Sequence, residues 1–186
     1  IGLDLAKQLD VVLGDSVTLV TPQGTLSPMG MIPRTRRARV AGIYNLGVLK
    51  AAGCTFSDNQ GWGGNSAKPG YSTDNGFAGP GGGESKGGGI YNAGTNALGN
   101  CTFYNGLVTG GQGGDGGDGA VNRGNGGNGG SGWGGALFNA SAGRTIVTNC
   151  TFSLSGAVGG FGGTNGSGLF AGQAGNIGGS FGGNVA

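Results

Sequence analysis

The sequence predicts an all-β fold: a right-handed parallel β-helix of three to four rungs with long Gly-rich insertions, preceded by a small α+β segment. The first observation behind this is repetition. Gly42-Ile43-Tyr44-Asn45 leads to Cys54-Thr55-Phe56, Gly89-Ile90-Tyr91-Asn92 to Cys101-Thr102-Phe103, and Ala136-Leu137-Phe138-Asn139 to Cys150-Thr151-Phe152. Ile43, Ile90 and Leu137 are 47 residues apart, and the cysteines 47 and then 49, because the third copy has two extra residues around Ala142. Self-similarity at such a period marks a stack in which each unit buries its apolar face only against its neighbour. The second observation is the spacing inside a copy. Cys-Thr-Phe alternates small apolar, polar and large apolar, the period of a strand, and Gly or Asn interrupts every few residues, so the strands are short.

Composition divides the chain at about residue 43. Residues 1–43 hold five of the 51 glycines, three of the five prolines, five cations and three anions, whereas the rest holds 46 glycines and five charges of each sign. The net charge of +2 therefore comes from the first segment, and the neutral repeat region offers nucleic acid or anionic lipid little to hold. No stretch approaches the ~20 apolar residues of a membrane helix, so no membrane insertion by this chain itself is expected. Within residues 1–43, Leu3, Leu5, Ala6, Leu9, Val12 and Leu13 are close to helical spacing, and Gly14-Asp15 ends that pattern before a strand at Ser16–Val20. Arg34, Arg36, Arg37 and Arg39 read as a solvated turn and strand edge. This segment fits neither repeat template and is expected not to continue the rungs.

In the repeat region, residues 44–186 with Ile43 at the join, the apolar columns are Ile43/Ile90/Leu137, Ala51/Leu98/Val147, Cys54/Cys101/Cys150 and Phe56/Phe103/Phe152. Asn45, Asn92 and Asn139 form a polar column whose amides can hydrogen-bond along the stack. A degenerate fourth rung is expected at Gly168-Leu169-Phe170. Glycine tracts fill 60–87, 106–133 and 156–167, and the middle one repeats Gly-Gly-x from Gly110 to Asp118. That period of three allows either a mobile loop or extended three-residue-per-turn helices packed where only glycine permits close approach.

Chemistry-bearing residues are sparse. Gly110 to Asp115 matches the start of a calcium-binding nonapeptide, making Asp115 and Asp118 weak metal candidates, but its eighth position, normally a large apolar anchor, is Gly117. No metal or cofactor is expected there. With no histidine in the sequence, Ser-His and Cys-His nucleophilic devices are excluded. Asp58, Asp74, Glu84, Asp115 and Asp118 do not recur at the repeat period, so no catalytic carboxylate pair is expected. The three cysteines read as reduced core residues. Tyr44, Tyr91 and Phe138, each next to an inward Ile or Leu, are expected to form an outward aromatic stripe that packs or binds glycan rings.

The strings Gly-Gly-Ile-Tyr-Asn from Gly88, Asn-Cys-Thr-Phe from Asn100 and Phe56-Ser57-Asp58-Asn59 resemble the repeats of polymorphic outer-membrane protein and autotransporter-passenger β-helices. That resemblance implies a non-enzymatic cell-surface or secreted protein with a structural or adhesive role. Glycans or a host or neighbouring cell surface are its implied partners. Gly14 to Val20, Pro22-Gln23-Gly24, Pro28-Met29-Gly30, Ile32-Pro33 and Arg37 to Ile43 resemble the periplasmic domain of lipoprotein-releasing ABC transporter permeases. This second resemblance implies a periplasmic fragment of such a permease. The third function, a carbohydrate-active β-helix enzyme, follows from the architecture alone. The expected location is the cell envelope or the extracellular space.

Overall fold

The computed structural model describes residues 16–27, 30–39 and 43–183, with side chains described from Ile43 onward. Strands β1 (Ser16–Ser27) and β2 (Gly30–Arg39) pair antiparallel, Ser16 opposite Arg39 and Ser27 opposite Gly30, as a sheet of their own. The strand expected at Ser16–Val20 thus continues to Ser27, and it does not extend the rungs. The helix expected over residues 1–13 lies outside the described residues, among which there is no helix.

The remaining residues form a parallel β-helix of three turns. Its first turn comprises β3 (Ile43–Asn45), β4 (Val48–Ala52), β5 (Thr55–Ser57), β6 (Gln60–Trp62) and β7 (Ser85–Lys86). The second repeats them as β8 (Ile90–Asn92), β9 (Thr95–Gly99), β10 (Thr102–Tyr104), β11 (Leu107–Thr109) and β12 (Gly132–Trp133). The third does so as β13 (Leu137–Asn139), β14 (Arg144–Thr148), β15 (Thr151–Ser153), β16 (Gly156–Val158) and β17 (Ser180–Phe181). Equivalent strands stack into five three-stranded parallel sheets, the second turn always central. The register follows the predicted columns: Ile43, Ile90 and Leu137 align, as do Phe56, Phe103 and Phe152.

Inside the coil the columns become ladders. The phenyl rings of Phe56, Phe103 and Phe152 stack with centroids 4.4 and 4.7 Å apart, nearly parallel. Asn45 Nδ2 donates to Asn92 Oδ1 at 2.8 Å, and Asn92 Nδ2 to Asn139 Oδ1 at 2.7 Å, which satisfies buried amides as a continuous chain. The cysteines are free thiols in one column; Cys101 is fully buried, while Cys54 and Cys150, each with a stacked neighbour on one side only, are half-buried. Three corners require left-handed backbone, one of them held by Gly87, Gly134 and Gly182. Gly53, Asn100 and Asn149 occupy the second, and Asp58, Asn105 and Leu154 the third, all with positive φ. Gly and Asn visit this region at little cost, so the turn residues at fixed offsets are the sequence trace of these corners.

The glycine tracts are ordered. After the fourth strand of each turn the chain leaves the coil, reverses and returns, over 63–84, 110–131 and 159–179. The two arms of one excursion bond to each other: Gly124, Gly127 and Gly130 donate to the carbonyls of Gly117, Gly114 and Gly111. Arms of successive turns bond as well, Gly111, Gly114 and Gly117 donating to Gly83, Pro80 and Phe77. Extended three-per-turn strands make no internal hydrogen bonds, so all their backbone polarity is free for neighbours. A Cβ on Gly111 would overlap the Gly64 carbonyl, and one on Gly127 the Pro80 carbonyl. Gly-Gly-x therefore encodes a plate of packed backbones. Gly168-Leu169-Phe170 is not a fourth rung. Phe170 bridges Asn122 at the tip of the third excursion, and both apolar side chains are exposed.

Candidate functional site on the outer face of the stack

The middle residue of β3, β8 and β13 points away from the core because its two neighbours point in. This turns Tyr44, Tyr91 and Phe138 outward as one column. Tyr44 and Tyr91 stack at 4.6 Å between centroids, and Phe138 continues at 5.4 Å with a 31° tilt. The adjacent column, Lys86, Trp133 and Phe181, comes from β7, β12 and β17. Trp133 stacks on Phe181 at 3.9 Å and meets Phe138 edge-on at 6.3 Å. Lys86 Nζ lies 5.5 Å from the Phe138 centroid and 6.0 Å from that of Trp133, within cation–π range, and pairs with Glu84 at 2.6 Å. That hydrogen bond holds the Glu84 carboxyl below the usual carboxylate range. The Trp133 indole N–H is buried beside Glu84, whose carboxyl it also helps to hold low.

Stacking has a chemical consequence. Rings piled face to face cover one another's π-faces and present edges to solvent, whereas sugar rings pack on faces. The faces left open are at the ends of the two columns, on Tyr44, 54% exposed, and Phe181, 43% exposed.

Asp115 and Asp118 lie on the outward side of the second excursion. Asp115 Oδ1 accepts from the Thr164 amide at 2.7 Å and its hydroxyl at 2.9 Å; Asp118 Oδ1 accepts from the Ser167 amide at 2.7 Å and Oδ2 from Lys68 at 2.8 Å. The Thr164 amide chiefly holds the Asp115 carboxyl low, and the Lys68 bond chiefly that of Asp118. Asn65, Asn125 and Asn128 accept in the same manner from the amides of Gln112, Gln173 and Asn176. Where the x of Gly-Gly-x is Asp or Asn, as at these positions, its side chain accepts from a backbone amide of the next turn. Among the described residues no three His, Cys, Asp or Glu side chains converge. Asp58 bonds Asn105 Nδ2 at a corner, and Asp74 lies at a tip beside Asn75.

Sequence reasoning found Tyr44, Tyr91 and Phe138 but missed Lys86, Trp133 and Phe181, whose column shares no residue type. Their only sequence signal is distance: Lys86 to Trp133 is again 47 residues.

Fold and surface define the class: a parallel β-helix with a backbone-packed glycine plate on one side and an aromatic column on its outer face. No family model and no solved structure matches the chain. Over 50 residues, 27% of its length, it is 38% identical to a lipoprotein-releasing system transmembrane protein, LolC, of Neisseria meningitidis serogroup B. The matched stretch spans 12% of that protein. Among the described residues no helix is long and apolar enough to cross a membrane.

Proposed function

We propose that the chain is a non-enzymatic structural or adhesive element of the cell envelope or of a secreted protein, a rigid stack that presents its outer face and excursion tips to glycans or to another cell surface. The observation that carries this reading is where the polar groups go. The Asn ladder bonds along the stack, Asp115 and Asp118 hold amides of the next turn, and Glu84 holds Lys86. Each is engaged in holding turns together or at the surface, and the five carboxylates of the repeat region are dispersed over corner, excursion tip and excursion arms. The partial likeness to an envelope transporter supports the location.

The test displays the chain on a non-adherent bacterium and scores attachment to glycan-coated surfaces. Attachment above that of cells displaying a scrambled sequence, reduced by Tyr44→Ala together with Phe181→Ala, is the expected result. Shortened chains or unsaturated ends released from a polysaccharide by the purified protein would replace this reading with an enzymatic one.

A second reading, a piece of a lipoprotein-releasing permease, rests on the 50-residue match. Co-purification with lipoproteins from an envelope extract supports it. Recovery of none, with attachment intact, leaves the first reading alone.

A further inference from the structure

We propose that the corner carrying Asn100 and Thr102 is a modification site, at which the Asn100 side-chain nitrogen receives a sugar from a glycosyl diphosphate. The inference rests on the envelope or secreted location proposed above and on nothing else in that reading. Asn-x-Ser/Thr, with x other than proline, is the pattern read by N-linked sugar transfer. The chain has it at Asn100-Cys101-Thr102, Asn139-Ala140-Ser141, Asn149-Cys150-Thr151 and Asn165-Gly166-Ser167. The fold treats these four differently.

Transfer needs the amide and the hydroxyl outside together. In Asn100-Cys101-Thr102 it is the middle residue that faces the core: Cys101 is 1% exposed, while Asn100 is exposed and Thr102 half-buried on the outer side of β10. Asn100 lies in the second turn, with a turn on either side, so its exposure belongs to the corner itself. A Cβ built on the preceding Gly99 would meet nothing within 4 Å, so the approach is open. Asn100 Oδ1 accepts from Asn149 Nδ2 at 2.7 Å, whereas among the described residues Asn100 Nδ2 donates to no protein atom; the first turn has Gly53 at this position. The oxygen is held and the nitrogen presented. A left-handed corner does not by itself demand this arrangement, since Gly53 satisfies it with no side chain.

The other three are placed less well. Asn139 belongs to the inner ladder: its Oδ1 accepts from Asn92 and Thr145, and its Nδ2 donates to the Gly143 carbonyl, so a sugar there would have to enter the coil. Asn165 is half-buried in the third excursion, where the following Gly166 amide is bonded to Gly124. Asn149 shares the corner of Asn100, but its nitrogen donates the bond between them, which puts it second in order. In the step itself Asn100 Nδ2 attacks the anomeric carbon of the sugar. A carbon–nitrogen bond forms, the bond from that carbon to the diphosphate oxygen breaks, the diphosphate leaves with the electron pair, and the nitrogen gives up one proton. Nucleoside and lipid diphosphates carry the sugar in this same chemical form.

The test incubates the purified, folded chain in one arm with a soluble N-glycosyltransferase and UDP-glucose. The other arm uses a membrane oligosaccharyltransferase with its lipid-linked oligosaccharide. Cleavage after Lys and Arg then leaves Asn100 as the sole such site in 87–123 and Asn139 in 124–144, with Asn149 and Asn165 together in 145–186. Mass spectrometry should find sugar on 87–123 in at least one arm, ahead of any on 145–186 and with none on 124–144; the arm that succeeds identifies the donor. Thr102→Val should abolish the gain on 87–123 and Thr102→Ser should keep it, with circular dichroism unchanged in both. No sugar on 87–123 in either arm, sugar on 124–144 in its place, or a gain indifferent to Thr102→Val would each overturn the proposal. So would a synthetic peptide of residues 96–106 that takes sugar where the folded chain does not, because the fold would then conceal the site. Attachment in the display assay is read on chain that carries no sugar, so either inference can fail alone.

Discussion

Each turn is built in two ways, and the two halves carry the same period by opposite means. On the coil side, 43–62 and its equivalents, side chains define the stack: phenyl on phenyl, amide on amide, with the backbone ladder outside them. In the excursions side chains are excluded from the interior, and carbonyls and amides of adjacent arms fill it. The first half loses stability when a side chain is made smaller; the second loses it when one is made larger. Repetition is the shared requirement, since either kind of packing pairs a residue with its own equivalent one turn away.

The largest expected effect is on the coil side. Phe103 is stacked on both faces, and Phe103→Ala should cost about 3–5 kcal/mol, measured by denaturant unfolding. For the excursions the probe is Gly127→Ala, whose Cβ would overlap the Pro80 carbonyl; about 1–3 kcal/mol is expected. Hydrogen exchange sharpens the contrast: amides of Gly114, Gly117 and Gly130 should lose protection while those of Ile90 and Asn92 keep it. Equal loss in both sets would show that the halves melt as one unit and break the comparison.

A smaller effect, of opposite sign, is expected at Leu154. It holds a φ of 55° where the earlier turns have Asp58 and Asn105, and it is exposed, so its side chain contributes little burial. Leu154→Asn should stabilise by roughly 1 kcal/mol, read as a higher melting temperature. Smallest is the response to acid. Asp115 and Asp118 have carboxyls held below their ordinary range by hydrogen bonds to the third turn and Lys68. Their contribution is complete above the unfolded-state pKa and disappears as pH falls through the lower folded one. Acid titration should loosen the second and third excursions before the coil, and Asp115→Asn, which keeps the acceptor as Asn125 and Asn128 do, should flatten that dependence.

What the sequence made legible was whatever repeats as a residue type. Ile43/Ile90/Leu137, Ala51/Leu98/Val147, the phenylalanines and the asparagines were readable because burial or hydrogen bonding demands the same side chain in each turn. The strands β6, β11 and β16 were hidden inside supposed tracts, since Gln60-Gly61-Trp62, Leu107-Val108-Thr109 and Gly156-Ala157-Val158 share only backbone pairing. The order of the glycine arms was open for the same reason. Glycine is the residue of both a mobile loop and a backbone-packed plate, and what separates them is the partner arm, which lies across a reversal of the chain or in the next turn. Leu169 and Phe170 misled because an apolar pair after glycine resembles a strand start, while at a tip it only faces solvent.

The irregular spacing of the third turn shows where length can change without harm. Asn139 lies 47 residues from its equivalent; from Arg144 through Ser167 the offset is 49, and from Phe170 through Phe181 it is 48. Two residues were gained at the corner near Ala142 and one was given up at an excursion tip, yet every ladder between those points stays aligned. A parallel stack resets its register at each corner, so an insertion there remains a local event instead of a frameshift of the architecture. Lineages of such chains can therefore drift in length at corners and tips while the columns stand still, and an alignment allowing gaps only at those positions would recover the turns where one of fixed period loses them.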